Sequence, residues 1–158
     1  MSNSQAMATS FLGQLLTGTH NFGSSPTRAG ATADSFKAAL YLASATVNAS
    51  TTVYSTTGEV TGSGYTAGGV NVTNGTVPTA TNASTTAGVG FWTPSASLVY
   101  TTVTLATAFD AMLIYNSTQG NKTVSVHTFG SQIVTAGTFT LTMPSNTTTT
   151  ALLRLATT

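Results

Sequence analysis

The sequence predicts an all-β protein: an antiparallel, jelly-roll-like β-sandwich with a short N-terminal helix. After residue 50, short runs rich in Val, Thr and aromatic residues alternate with Gly, Asn, Ser and Pro, a pattern typical of strands joined by turns. The one helical apolar stripe lies near the N-terminus, and 158 residues suffice for one core. We therefore predict an N-terminal arm with a short helix and a loop over residues 1–34, and the sandwich over residues 35–158.

The N-terminal helix is predicted from residues that recur on one helical face and end at Gly18, which is a natural stop. They are Met7, Phe11, Leu12, Leu15 and Leu16. This segment either docks on a partner or a sister subunit, or closes one end of the sandwich.

The first strand is predicted within residues 35–47, where Phe36, Ala38 and Leu40 alternate with Lys37 and Tyr41, which indicates a half-buried strand. The run 109–116 is almost continuously apolar, which favours a central strand covered on both faces. The clearest hairpin joins this run to residues 122–130 through a turn at 117–121. Its expected inward positions are Met112, Ile114, Val124 and Val126. Further strands are predicted in 68–78, 88–92, 97–106, 137–144 and 151–156.

The composition excludes several classes of function. Charged residues make up 4% of the chain and the net charge is +1, so there is no cluster of cations to neutralise nucleic-acid phosphates. The chain has no cysteine and no apolar run of membrane-spanning length, so neither thiolate chemistry nor a membrane partner is predicted. So little charge weakens repulsion between copies and favours association.

The glycine segment, residues 57–70 with the sequence TGEVTGSGYTAGGV, raises the question of a phosphate site. A phosphate-binding loop needs a helix N-terminus after its glycines, whereas strand-forming residues follow here. Glu59 is therefore expected to be a turn acid that accepts backbone N–H groups or pairs with a cation. His20, expected near the helix end, and His127, expected at a surface or interface, lack further ligands or a triad context. No catalytic residue, metal or cofactor is predicted.

Three stretches of the sequence stand out together: AALYLASATVNASTTVYSTTGEVTGSGYTAGG, then AMLIYNSTQGNKTVSVHTFGSQIVTAGTFTLTMP, and a closing ALLRL. With these stretches the chain resembles a family of small virion structural proteins of tailed bacteriophages. Their order and spacing resemble the family from about residue 35 onward. The residues that match its motifs are Glu59, Gly62, Gly64, Tyr65, Gly68, Gly69, Trp92, Leu113, Ile114, Tyr115 and Asn116. FDAML at 109–113 and VSVHTFG at 124–130 depart from the pattern.

The resemblance implies a non-enzymatic virion protein that is assembled in the bacterial host cytoplasm. The first expectation is a homotrimeric capsid cement (decoration) protein, which stabilises the shell by bridging copies of the major capsid protein. The alternative is a tail or fibre component that binds host-surface glycans. That alternative predicts a solvent-facing aromatic cluster, including Trp92 or Tyr65.

Overall fold

The computed structural model describes residues 2–23, 32–81 and 88–157, and it confirms the all-β class with two antiparallel sheets and one short helix. The short elements near the N-terminus are β1 (Ala6–Met7) and α1 (Thr9–Leu16). The remaining strands are β2 (Phe36–Leu42), β3 (Val70–Val72), β4 (Thr79–Ala80), β5 (Val89–Trp92), β6 (Leu98–Asn116), β7 (Lys122–Leu141) and β8 (Leu153–Ala156).

The larger sheet has the strand order β1-β7-β6-β2-β3, and the smaller sheet has the order β4-β5-β8. The hairpin of β6 and β7 dominates the larger sheet, and its turn lies between Asn116 and Lys122, as predicted. One apolar cluster includes residues of both sheets, among them Leu40 of β2, Trp92 of β5 and Leu153 of β8. The core therefore lies between the two sheets.

The strands of this hairpin are longer than predicted. The runs 97–106 and 109–116 join into β6, and the runs 122–130 and 137–144 join into β7 up to Leu141. The pairing absorbs several register shifts, and Thr102 and Ala136 adopt positive φ angles of 53° and 46°. Bulges of this kind bend a strand without ending it, so residues that resembled turns belong to continuous strands.

Strand β2 is buried on both faces, so the predicted half-buried strand is wrong in this respect. Phe36 and Leu40 face the inter-sheet core, whereas Ala39 and Tyr41 belong to a second buried cluster on the opposite face. Loop residues cover that second face, among them Val47. The central position of β6 is confirmed, because it pairs with β2 on one side and β7 on the other.

A bulge changes the predicted alternation in β7. Ile114 pairs with Ser125 and Tyr115 pairs with Thr123, which leaves Val124 as the extra residue. Val124 consequently lies in the inter-sheet core while Val126 lies in the second cluster. Both are fully buried, but they face opposite sides of the sheet.

The helix α1 is shorter than the predicted stripe, because Met7 belongs to β1, where it pairs with Ser125 of β7. The predicted stop is confirmed: Gly18 has a φ of +66°, and its N–H donates to the Leu15 carbonyl. Leu12 and Leu16 are exposed instead of buried.

The N-terminal residues pack into the same core as the sandwich. Phe11 and Phe22 are buried, and Phe22 stacks on Phe36 of β2 with ring centroids 4.4 Å apart. Residues 24–31 of the predicted arm lie outside the described residues. Within the described part of the chain, the predicted boundary after residue 34 does not separate two packing units.

Candidate functional site

Glu59 is the centre of a buried hydrogen-bond network. Its Oε1 accepts from the Tyr65 hydroxyl and from the Gly68 N–H, both at 2.7 Å, and its Oε2 accepts from the Tyr54 hydroxyl at 2.6 Å. The side chain is 5% exposed. Three donors satisfy the carboxylate, which is what a buried acid requires. We call Glu59, Tyr54, Tyr65 and Gly68 the glutamate network.

The tyrosine hydroxyls extend this network to the sheet. The Tyr115 hydroxyl donates to the Gly68 carbonyl at 2.9 Å. The Tyr100 hydroxyl donates to the Ala38 carbonyl at 2.8 Å. The Tyr65 hydroxyl also accepts a hydrogen bond from the Leu40 N–H at 3.0 Å. Tyr41 donates to the Ser55 carbonyl. All five tyrosines of the chain therefore hold backbone or Glu59.

Burial keeps these hydroxyls protonated. It raises the pKa of Tyr41 and of Tyr115 to about 12, and it raises the pKa of Tyr54, Tyr65 and Tyr100 further. A protonated hydroxyl can donate to a carboxylate or a carbonyl but is a poor nucleophile or base. The hydroxyls therefore serve as hydrogen-bond donors in this network at neutral pH.

The glycine segment lies directly on the larger sheet. A Cβ atom at Gly69 would be 1.7 Å from the Ala38 carbonyl oxygen, and one at Gly62 would be 2.0 Å from the Thr104 carbonyl oxygen. Gly64 lies over Thr102 in the same way. The segment leads into β3, so no helix N-terminus follows it. These glycines permit close contact between backbones, and they form no phosphate cradle.

The end of β6 connects the glutamate network to a second polar cluster. Leu113 and Ile114 are buried on opposite faces of the sheet, and Tyr115 bonds to Gly68. Asn116 is fully buried, and its Nδ2 donates to Asp34 Oδ2 at 2.7 Å and lies 3.0 Å from His20 Nδ1.

This second cluster fixes the tautomer of His20. Asn116 Oδ1 accepts the N–H groups of Thr118 and Gln119, so its Nδ2 must face His20 and act as the donor to Nδ1. The proton of His20 then resides on Nε2 and is donated to Gln14 Oε1 of α1 at 2.8 Å. His20 therefore joins α1 to the sheet and does not cap helix carbonyls.

Burial is also the main cause that lowers the pKa of His20 to about 4. Asp34 opposes this shift and Lys122 adds to it. A proton on Nδ1 would face the Asn116 amide, which cannot accept it. Geometry and burial both favour neutral His20.

Two further titratable side chains, those of His127 and Asp110, each have a polar neighbour. His127 Nε2 lies 2.9 Å from Ser125 Oγ, but that serine is 1% exposed, and burial lowers the pKa of His127 to about 4. Asp110 accepts from Asn3 Nδ2 at 2.6 Å. No group of three or more His, Asp or Glu side chains suited to a metal ion occurs among residues 2–23, 32–81 and 88–157. No helix in these ranges is long and apolar enough to cross a membrane.

Trp92 is separate from the other motif residues. It lies in β5, is 2% exposed, and donates its indole N–H to the Thr76 carbonyl at 2.9 Å. Its ring contacts that of Phe22 at 4.8 Å between centroids. It is a core residue that also forms the wall of a groove.

This apolar groove, of about 290 Å³, lies between α1 and the smaller sheet. Its lining comes from α1 and its flanks, from β4 and the residue before it, and from β5 and β8. The residues are Met7, Phe11, Leu15, Phe22, Pro78, Thr79, Ala80, Gly90, Phe91, Trp92, Leu153 and Leu155. The sequence did not indicate it, because its walls are far apart in the chain.

No family model, no curated protein and no solved structure matches the chain.

Proposed function

We propose that the chain is a non-enzymatic structural protein of a bacteriophage virion, and that it acts as a capsid cement protein. The virion assignment rests on the resemblance of the glycine segment, Trp92 and the strand end at 113–116. The cement assignment implies self-association, for which a homotrimer is the expected form, and attachment to the major capsid protein.

The proposal of a non-enzymatic protein is supported mainly by one observation: the polar side chains of the motif are engaged in hydrogen bonds that hold the fold together. The Tyr65 hydroxyl donates to Glu59, and the Tyr115 hydroxyl donates to the Gly68 carbonyl. The Asn116 amide bonds to both Asp34 and His20. These bonds tie the glycine segment and α1 to the larger sheet. Groups occupied in this way support a shape, and none is left poised to act on a substrate.

The disposition of the aromatic rings favours cement over glycan binding. All thirteen Phe, Tyr and Trp residues lie in the described ranges, and none of them is exposed. Trp92 is 2% exposed, and Tyr65 is held between Glu59 and Leu40. A sugar-stacking platform needs an accessible ring face, so the glycan-binding alternative lacks the cluster that it predicts.

The shell-bridging mechanism is mechanical. A protein that binds only the expanded shell stabilises that shell by mass action, and the effect grows with the area buried on each contact. A stable attachment needs about 1,000 Å² or more of buried surface. A surface rich in Thr and Ser and poor in charge suits such a contact, because few ions must be desolvated.

Particle fractionation tests this proposal. An antibody against the purified chain is used to probe density-banded particles from cultures of the organism that encodes it, separated into heads and tails. We expect the chain in the head fraction at a fixed ratio to the major capsid protein. Particles stripped of it should release DNA at a lower temperature than intact ones. Its absence from particles would overturn the virion assignment, and its presence only in tails would overturn the cement assignment.

A further inference from the structure

We propose that the apolar groove binds the exposed face of α1 from a second copy of the chain. This inference deepens the proposed function and rests on it only for the expectation that the chain self-associates. It assigns that association to one interface, in which the Leu12–Leu16 face of α1 on one copy contacts the groove of the next copy.

The groove requires an apolar occupant. Its walls are aliphatic and aromatic, and the indole N–H of Trp92 is already donated to the Thr76 carbonyl. No charged residue lines it. A cavity of about 150 Å³ accommodates benzene, so 290 Å³ has room for about two leucine-sized side chains.

α1 presents two such side chains. Leu12 is 46% exposed and Leu16 is 91% exposed, the highest exposure of any large hydrophobic residue in the described ranges. Residues four apart lie on the same face of a helix, so the two leucines form one apolar ridge. Neither lines the groove, which Phe11 and Leu15 reach from the same helix. The ridge and the groove are therefore different patches of one chain.

The segments outside the described ranges offer no comparable occupant. They are SSPTRAGA at 24–31 and NASTTA at 82–87, and neither contains a large apolar side chain. Met1 and Thr158 complete the undescribed residues, so Met1 is the one large apolar side chain among them.

The charge distribution favours another copy over a membrane or a nucleic acid. Neither α1 nor the groove lining carries a charged residue, and the whole chain carries a net charge of +1. Anionic lipids or phosphates would find no cation among the residues of α1 or of the groove lining. Two copies would meet here with little repulsion and without desolvating an ion. A contact between two different patches is head-to-tail, and it closes into a ring when the rotation permits, which agrees with the expected trimer.

The test measures mass and groove occupancy together. Light scattering after size exclusion gives the mass across a dilution series, and the fluorescence of Trp92, the chain's one tryptophan, reports on the groove wall. We expect the wild type to dissociate on dilution, with a red shift of the Trp92 emission at the same concentrations.

Two variants and a matched control locate the contact. Leu16→Asp changes the ridge and Leu155→Asp changes the groove lining, and each should weaken association at least 100-fold while far-UV circular dichroism stays that of the wild type. Ile133→Asp introduces the same charge at an exposed position of β7 outside the groove, and it should leave association unchanged. In Leu16→Asp, the Trp92 emission should no longer depend on protein concentration.

Several outcomes would overturn the inference. One is a wild type that is monomeric at all concentrations, and another is an oligomer that both aspartate variants leave intact. A monomer whose Trp92 emission responds to dodecanoate would assign the groove to an aliphatic ligand. A monomer that binds particles through Leu16 would assign the Leu12–Leu16 face of α1 to the shell. The two proposals can also fail separately. If Leu16→Asp dissociates the oligomer but the chain is absent from particles, this inference stands and the virion proposal is overturned.

Discussion

Two regions that pack against the larger sheet are stabilised in different ways. The glycine segment is held by hydrogen bonds around Glu59, whose carboxylate accepts from three donors. The other region, where α1 meets the smaller sheet, is held mainly by apolar packing and retains an open groove beside exposed leucines. A satisfied polar network specifies one arrangement of the chain, whereas an uncovered apolar surface marks a binding face.

The largest expected effect comes from filling the closest backbone contact in the glycine segment. In Gly69→Ala, the new Cβ would meet the Ala38 carbonyl oxygen, and the residue would also have to keep its φ of +71°. Overpacking and left-handed strain together are expected to cost about 4 kcal/mol. Urea unfolding at fixed protein concentration measures the loss.

Gly130→Ala is the matched control for this prediction. Gly130 lies in β7, a strand of the same sheet, but a Cβ there would have no neighbour within 4 Å. We expect a change within about 0.5 kcal/mol, as for other surface substitutions. Equal stabilities of the two variants would contradict the backbone-contact role of Gly69.

The second effect concerns the helix end and depends on pH. Folding lowers the pKa of His20 from 6.5 to about 4, so the unfolded chain binds more protons between these values. The contribution of His20 is complete above pH 6.5 and is lost as the pH falls through 6.5 towards 4. The loss amounts to about 3 kcal/mol in total, or about 1.4 kcal/mol per pH unit.

Unfolding free energies at several pH values, for wild type and variants, test this assignment. His20→Gln should remove the His20 part of the slope between pH 6.5 and 4. His127→Gln is the comparison: burial lowers the pKa of His127 to about 4 as well, so this variant should lose the His127 part of the slope and keep the His20 part. A wild-type slope in His20→Gln would show that neutral His20 does not stabilise the helix end.

The third effect separates the two hydroxyls that bond to Glu59. Tyr65→Phe removes a donor to Oε1 and also the acceptor of the Leu40 N–H, so two buried groups lose their partner, at a cost of about 2 kcal/mol. Tyr54→Phe removes only the donor to Oε2, and Tyr54 itself is half-buried, so about 1 kcal/mol or less is expected. Parallel urea titrations give the difference, and a larger loss in Tyr54→Phe would contradict the network as described.

The features that the sequence predicted correctly depend on residues close to one another in the chain, and the features that it missed depend on contacts between separate segments. The apolar run of β6 and the turn after Asn116 were predicted correctly, because periodicity and turn chemistry are local. The burial of Ala39 and Tyr41 was missed, since it depends on loop residues that cover the second face of β2. Alternation within a strand cannot show that loop residues cover its other face.

The candidate site also has features that the local sequence predicts and features that it does not. That the glycine segment is architectural could be predicted, because strand residues follow it where a phosphate site needs a helix. The partners of Glu59 could not, because tyrosines recur through the chain and nothing local selects Tyr54 and Tyr65. The groove has no sequence signal at all, since it forms where α1, β4, β5 and β8 meet.

The smallest effect is expected to have the opposite sign. Gly13 lies within α1, and a Cβ there would meet nothing within 4 Å. Gly13→Ala should therefore stabilise the protein by about 0.5–1 kcal/mol, because alanine loses less backbone entropy in a helix than glycine does. For a chain of this size, the melting temperature should rise by about 2–3 °C.

The measurement is sharpest in the Leu16→Asp background, where association no longer contributes to the melting temperature. A rise there that is absent in the wild-type background would mean that Gly13 lies in the contact between copies, where an added methyl group offsets the gain in the helix. A fall in both backgrounds would contradict the open position of Gly13. The glycine-to-alanine change would then be unfavourable both at Gly69 and at Gly13, and the distinction between a closely packed glycine segment and an uncovered helix would not hold.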